Sequence, residues 1–210
     1  MAKNLDSKSL KHFLKDKNLY LIFGNDIQDQ YQSITELSNY IKLIIKDLSQ
    51  NSVLVYFGEN YTKDNLCIGY VFNEIKNKVK NIDIIYVKDE SIQNDDIPPF
   101  VTHIYTTIIK NNKQERGVLN KNDKIKPLGL TKVWYDMNKI NKINTIYIIS
   151  GNDITIQEYD LAKSLDITIK YCTIKRKYIG DGKTLIKKNA SDEIKIGVTY
   201  YLNNIQNDDE

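Results

Sequence analysis

The chain has 210 residues, of which 41% are hydrophobic and 27% are charged, and its formal net charge is +3. This length and composition are typical of a globular protein that buries its own core, and they exclude wholesale disorder. The charge is small and the lysines are interleaved with Asp and Glu, so we expect no nucleic-acid partner. Lys, Asn, Ile and Tyr are abundant while Arg116 and Arg176 are the only arginines, which suggests an AT-rich coding genome.

The amino terminus bears on the cellular compartment, and the cysteines and histidines bear on metal binding. Residues 1–17 lack the apolar core of a signal peptide, and no run approaches the ~20 apolar residues of a membrane span. Cys67 and Cys172 are far apart and are expected to be buried structural thiols, while His12 and His103 are isolated. The sequence therefore predicts a cytoplasmic protein with no membrane partner, no metal and no cofactor.

Helices and strands alternate along the first half of the chain. The helix predicted at 33–48 has an apolar stripe behind Ser33 and Glu36, which have the spacing of a capping box. The all-apolar run at 53–57 is typical of a strand buried on both faces of a parallel sheet. The elements predicted are a lead-in helix within residues 1–18, strands at 19–23, 53–57, 82–87 and 102–109, and helices at 33–48 and 66–79.

The second half has a less regular pattern at both ends. Residues 110–126 have the weakest periodicity and are predicted to be irregular. A helix is predicted at 128–140, a strand ending at Ile149, a helix from Thr155 and a strand at 167–171. Beyond these lie a basic segment at 175–188 with a hairpin-type turn at 180–182, a late strand at 193–202 and a frayed tail at 203–210.

This order of elements predicts one α/β domain over residues 1–210. Strands that alternate with helices favour a Rossmann-like, mostly parallel sheet with helices on both faces, plus a C-terminal hairpin or edge strands. In such sheets, ligands bind at the carboxyl ends of the strands, where helix amino termini offer free N–H groups.

Glycine recurs where predicted strands end. A glycine there lets backbone N–H groups approach a phosphate or a sugar without a Cβ in the way. Three such loops on one edge of the sheet would form a cradle the size of a nucleotide. The candidate ligand-binding residues in these loops are Gly24, Asn25, Gly58, Glu59, Ser150, Gly151 and Asn152.

Thr155 and Glu158 follow the third loop and are the remaining candidates. Their spacing fits a capping box, which needs no substrate. A carboxylate in this position could also act on an N-glycosidic bond, as nucleophile or as stabiliser of an oxocarbenium-like state. Capping, catalysis and non-catalytic ligand binding all remain open for Glu158, with Thr155 assigned to the ligand site.

The segments LYLIFGN, LVYFGEN, IGYVFNEI and IISGNDITIQE occur in an order that resembles the SLOG superfamily, which includes the "Lonely Guy" phosphoribohydrolases. The resemblance covers roughly residues 19–171. The early glycines of that family are matched by Gly24, Gly58 and Gly69. In the signature PGGxGTxxE, the family residues are matched by Gly151, Thr155 and Glu158 and replaced by Ser150, Asn152 and Ile154. The arginine that precedes the signature in the family has no counterpart here.

The Thr155, Glu158 and Ala162 spacing is also similar to nucleoside deoxyribosyltransferases, in which the Glu attacks the sugar carbon. These resemblances imply a nucleotide-like small-molecule partner and N-glycosidic cleavage or base transfer, with Glu158 as the catalytic residue. The replaced glycines leave open a nucleotide sensor without turnover, and a structural or interaction protein is the third alternative. A homodimer is expected by analogy with other parallel-sheet proteins.

Overall fold

The structure is a computed structural model and describes residues 2–23, 29–31, 34–49, 51–57, 68–75, 82–90, 97–108, 116–121, 124–149, 153–172 and 176–178. The helices are α1 (Ser7–Leu14), α2 (Ile34–Asp47), α3 (Ile68–Ile75), α4 (Gly129–Ile140) and α5 (Asp153–Ser164). The strands are β1 (Lys3–Leu5), β2 (Asn18–Phe23), β3 (Asp29–Tyr31), β4 (Ser52–Tyr56), β5 (Asp83–Asp89), β6 (His103–Thr107), β7 (Arg116–Lys121), β8 (Lys124–Leu128), β9 (Ile143–Ile149), β10 (Thr168–Cys172) and β11 (Arg176–Tyr178).

Seven of these strands form one parallel sheet in the order β1-β6-β5-β4-β2-β9-β10. Two antiparallel pairs, β7 with β8 and β3 with β11, lie outside it. Parallel strands need crossover connections. Along the chain, a helix lies between most consecutive strands of this sheet. The predicted Rossmann-like α/β fold is thereby confirmed.

The sheet separates two hydrophobic cores. Strand β4 is buried along its whole length, with Val53 and Val55 in one core and Leu54 and Tyr56 in the other, because successive side chains of a strand point to opposite faces. The first core is completed by residues of α1, α4 and α5, and the second core by residues of α2 and α3. Helices therefore cover both faces, as predicted.

The order of the strands reverses between β2 and β9. From β2 the chain proceeds through β4 to β5 on one side, and it later returns to place β9 and β10 on the other side of β2. Helix α2 follows β2 and packs in the second core, whereas α5 follows β9 and packs in the first. The connections after these two neighbouring strands therefore lead to opposite faces, which is the topological switch point where open parallel sheets bind ligands.

Local motifs hold the predicted lead-in helix in place. At its start the Asp6 carboxylate accepts a hydrogen bond from the Ser9 amide at 2.7 Å, and the Ser9 hydroxyl accepts one from the Asp6 amide at 2.8 Å. The Ser9 hydroxyl also donates to the Asp6 carboxylate at 2.6 Å, and this bond, followed by the one from the Ser9 amide, lowers the pKa of Asp6 from its ordinary value of 3.8. At its end the Asn141 side-chain amide donates to the carbonyls of Leu14 and Lys17 at 2.9 and 2.6 Å. Helix α1 is thus joined to the end of α4.

The prediction of an irregular segment at residues 110–126 was wrong. Most of its second part forms the β7–β8 hairpin, with Val118 paired to Pro127 and Lys121 to Lys124. The segment is polar and weakly alternating, so its strand structure depends on packing against α4 and α5 rather than on pattern. Strands β1 and β3, each of three residues, were not predicted. The turn at 180–182, the late strand at 193–202 and the tail lie outside the described residues.

Candidate functional site

The sheet brings the strand ends that precede the predicted loops to one edge. Strands β2 and β9 pair as far as Phe23 and Ile148, and β2 and β4 pair as far as Ile22 and Tyr56. The strands are parallel, so their carboxyl ends lie at the same edge, and Gly24, Gly58 and Ser150 follow these ends in the sequence. The seven candidate ligand-binding residues of these loops lie outside the described residues, so their roles stay predictions. They are Gly24, Asn25, Gly58, Glu59, Ser150, Gly151 and Asn152.

Thr155 is described, but it does not cap a helix. Helix α5 begins at Asp153, so Thr155 occupies its third position and is 6% exposed. The prediction that Thr155 and Glu158 form a capping box was therefore wrong, because an N-cap residue precedes the first helical residue. The position before Asp153 is Asn152, a residue type that caps helices well, and it lies outside the described part of the chain.

Glu158 lies within α5 and is 1% exposed. Its Oε1 accepts a hydrogen bond from the Thr131 hydroxyl at 2.8 Å and another from the Trp134 indole N–H at 3.1 Å. Both donors belong to α4, so the carboxyl group of Glu158 connects α5 to α4 beneath the surface. Burial of such a group is costly unless donors replace its hydration, and these two side chains provide that replacement.

The hydrogen-bond network continues into the β7–β8 hairpin. The Gly117 amide donates to the Thr131 hydroxyl oxygen at 2.9 Å, and the Val118 amide donates to Gln157 Oε1 at 2.8 Å. Two neighbouring amides of β7 are thus held by α4 and by α5. We call Gly117, Thr131, Trp134, Gln157 and Glu158 the anchor network. It positions the hairpin against both helices.

Sequence reasoning found Glu158 but missed the rest of the anchor network. Trp134 is fully buried in the first core. Thr131 and Gln157 have ordinary positions in helical patterns. Their partners lie 14 to 39 residues away in the chain, so spacing in the sequence carries no signal for them.

The hydrogen bonds of Glu158 bear on whether its carboxylate could act as a nucleophile. A glycosidic nucleophile must present a carboxylate lone pair to the sugar carbon. Oε1 of Glu158 receives two buried donors, an arrangement that suits a structural acceptor. Its catalytic role stays a prediction.

Burial opposes ionisation of three other groups, Tyr40, Tyr147 and Cys172. Burial raises the pKa of Tyr147 to about 12 and raises the pKa values of Tyr40 and of the half-buried Cys172 thiol above their ordinary values. A thiol with a raised pKa is a poor nucleophile, so Cys172 fits a structural role. Cys67 lies outside the described residues.

His103 opens β6 and therefore lies at the amino-terminal edge of the sheet, opposite the switch point. Its Nδ1 is 2.9 Å from the Thr102 hydroxyl and 4.0 Å from an Asp83 carboxylate oxygen. Burial lowers the pKa of His103, an effect that Asp83 opposes. Across the described ranges, no group of three His, Cys, Asp or Glu side chains could hold a metal ion. No helix described here is long and apolar enough to cross a membrane.

No protein-family model matches the chain, and searches among curated proteins and among solved structures return no significant similarity. The resemblance to the SLOG superfamily therefore remains a prediction from the sequence. Function must be argued from the fold and from the site.

Proposed function

We propose that this protein binds a nucleotide or a nucleotide-derived ligand at the carboxyl edge of the sheet, between β2 and β9, without cleaving it. The observation that supports this proposal is the reversal of strand order at that point. Connections that diverge to opposite faces leave a crevice between them, and open parallel sheets bind ligands in that crevice.

The chemistry of the edge fits a phosphate-bearing ligand. Helices α2 and α5 follow β2 and β9, so their amino termini face the edge and favour negative charge. Gly24 and Gly151 lie in the two connections, where the lack of a Cβ would allow close approach of a phosphate or ribose. The proposal assigns ligand contact to these connections, with Asn25 and Asn152 as hydrogen-bonding neighbours.

The buried position of Glu158 supports binding without turnover. Its Oε1 is engaged by Thr131 and Trp134, so the side chain joins α5, the helix that follows β9, to α4. The competing function is cleavage or transfer of an N-glycosidic bond. It is favoured by the location of Glu158 near the start of α5, at the same edge of the sheet.

One experiment separates these functions. The pure protein, Gly24→Val and Glu158→Gln are each incubated with nucleoside monophosphates, deoxynucleotides and NAD. Binding is followed by calorimetry and released base by chromatography. We expect saturable binding by the parent, binding at least about tenfold weaker in Gly24→Val because a Cβ enters the crevice, and no released base.

Each contrary result has a definite meaning. Base release that disappears in Glu158→Gln would establish the glycosidase or transferase function and overturn the non-catalytic proposal. If no member of the panel binds saturably, the nucleotide proposal fails. Far-ultraviolet circular dichroism serves as the control that each variant is folded, because Glu158→Gln alters the hydrogen bond of the Trp134 indole and so its fluorescence.

A further inference from the structure

A cavity of about 570 Å³ lies on the first-core face of the protein, between α1, α4, β8 and the carboxyl end of β6. Its volume falls within the range of about 300–1,000 Å³ that is usual for small-molecule sites. Strand β6 is separated from β2 by β5 and β4, which places the cavity on the order of 14 Å from the switch point. We call this cavity the α1–α4 groove. It is distinct from the proposed nucleotide site.

The floor of the α1–α4 groove is apolar and firmly held. Leu10 and Met137 line it and are buried members of the first core, and Val133 and Ile140 pack against that core. Side chains fixed by a packed core cannot easily collapse into an adjoining space. The groove is therefore a persistent surface for an apolar group.

The rim of the groove is polar and carries an excess of positive charge. Lys126, Lys132 and Asp136 line it, and Asp136 forms ion pairs with both Lys132 and Lys139. Within the part of the chain that the structure describes, Lys126 forms no ion pair. An ammonium group with no acidic partner at the edge of an apolar floor suits an anionic headgroup.

Hydroxyl groups and an exposed apolar side chain complete the rim. The Ser7 and Tyr105 hydroxyl oxygens are 3.4 Å apart at the α1 side of the groove. Ile108, just beyond β6, lines the groove and is 60% exposed, so it offers apolar area that a ligand in the groove could cover. An apolar ligand lying in the groove would shield it from water.

From these features we propose that the α1–α4 groove binds a small organic monocarboxylate with an apolar body. The apolar body would lie on Leu10, Val133 and Met137 and against Ile108. The carboxylate would pair with Lys126 at the open side. This inference does not depend on nucleotide binding at the switch point.

The test uses the full-length protein labelled with ¹⁵N and titrated with octanoate, which has one carboxylate and an eight-carbon body. Two further titrations separate the contributions: 1-octanol has the body without the charge, and acetate has the charge without the body. We expect octanoate to bind about threefold more tightly than 1-octanol and far more tightly than acetate, because the apolar body supplies most of the affinity and the charge pair adds a modest part. The amide shifts should be concentrated at Leu128, Gly129 and Lys132, which line the groove.

Paired variants then test the contacts. Lys126→Gln should weaken octanoate binding about threefold, since a partly exposed charge pair contributes modestly. Ile108→Ser should weaken it about fivefold, because apolar area is no longer covered. The matched controls are Lys46→Gln and Leu43→Ser on α2, which change an exposed lysine and an exposed leucine away from the groove and should leave binding unchanged.

The remaining outcomes all count against the proposal. It is overturned if octanoate does not saturate, or if 1-octanol or acetate binds as tightly as octanoate. It is also overturned if the groove variants bind octanoate as tightly as the α2 controls. Nucleotide binding measured in Lys126→Gln should equal that of the parent, so failure of one site is distinguishable from failure of the other.

Discussion

Glu158 matters to both the fold and the proposed function, and its role follows from its two donors. A buried acceptor that receives hydrogen bonds from Thr131 and Trp134 holds α5 against α4. Removal of this acceptor would leave the two buried donors without a hydrogen-bond partner. Each unsatisfied buried donor lowers the free energy of unfolding by more than a surface hydrogen bond contributes to it. The side chain is therefore a candidate positioning residue for the crevice.

Substitution of Glu158 tests that role through stability. Glu158→Ala should lower the free energy of unfolding by about 2–4 kcal/mol, because it opens a cavity and strips Thr131 and Trp134 of their acceptor. Glu158→Gln retains an oxygen acceptor of similar shape and should cost about 1 kcal/mol. Urea denaturation followed by Trp134 fluorescence measures both. The control is Glu74→Ala, an exposed glutamate on α3, which should shift stability by less than about 0.5 kcal/mol. Equal losses in Glu158→Ala and Glu74→Ala would refute the structural role.

His103 couples stability to pH at the opposite edge of the sheet. It is 8% exposed, packs against the Phe13 ring at a centroid distance of 4.2 Å, and lies near Asp83, which also forms an ion pair with Lys17. Its pKa is lowered from the ordinary 6.5, first by burial, while Asp83 opposes the shift and Lys3 and Lys17 add to it. The neutral ring is therefore favoured in the folded protein.

The sign of the pH dependence follows from that shift. Below pH 6.5 the unfolded chain takes up a proton at His103 more readily than the folded protein does, so stability is present above that value and is lost as the pH falls through it. The stability difference between the parent and His103→Gln should shrink from pH 7.5 to pH 5, with a slope of at most about 1.4 kcal/mol per pH unit. Urea denaturation across this range is the measurement. A constant difference would show that His103 does not titrate differently on folding.

Among the elements, the β7–β8 hairpin depends most on contacts distant in sequence. Its first strand is held through the Gly117 and Val118 amides, by Thr131 on α4 and Gln157 on α5. Val118 packs partly against the first core. The hairpin thus owes its place to the anchor network rather than to a strong strand pattern.

Hydrogen exchange can resolve the two attachments separately. Thr131→Val removes the partner of the Gly117 amide, and Gln157→Met removes the partner of the Val118 amide. We expect each variant to lower protection mainly at its own amide, and Thr131→Val to cost about 1–3 kcal/mol because Glu158 loses a donor as well. Thr168→Val, at an exposed position on β10, is the matched control and should leave both amides unchanged. Unaltered protection in the first two variants would show that the hairpin is held by other contacts.

The protein as a whole is organised around one sheet with a core on each face. Strands β2, β4 and β9 contribute side chains to both cores in alternation, so the cores share a backbone. Loss of one core should therefore unfold the sheet and with it the other core. This arrangement allows a direct test of the prediction that residues 1–210 form a single domain.

Phe72→Ala provides that test. Phe72 is fully buried in the second core and stacks on Phe100 with ring centroids 5.3 Å apart, so its truncation should cost about 3–5 kcal/mol. Trp134 lies in the first core, across the sheet. Trp134 fluorescence and far-ultraviolet circular dichroism should still report one coincident transition at lower denaturant. Leu43→Ala, at an exposed site, is the control. Separate transitions for the two probes would mean that the faces unfold independently.

Most elements of the sheet could be predicted because their signals are local. The all-apolar run in β4 and the apolar stripe of α2 are each contained in one short segment of sequence. The period of the apolar residues within such a segment indicates which face of the helix or strand is buried. The alternation of such elements also predicted the parallel sheet and its helices on both faces. These features follow from residue order alone, because burial of an amphipathic face requires nothing more specific than another apolar surface.

The tertiary structure decided what depends on partners far apart in the chain. The pattern at Thr155 and Glu158 indicated a helix cap, but only packing could place Glu158 between Thr131 and Trp134. The β7–β8 hairpin and the α1–α4 groove likewise arise where separate elements meet. Hydrogen bonds between distant residues, and cavities between elements, depend on how the elements are arranged in space, and local periodicity contains no record of that arrangement.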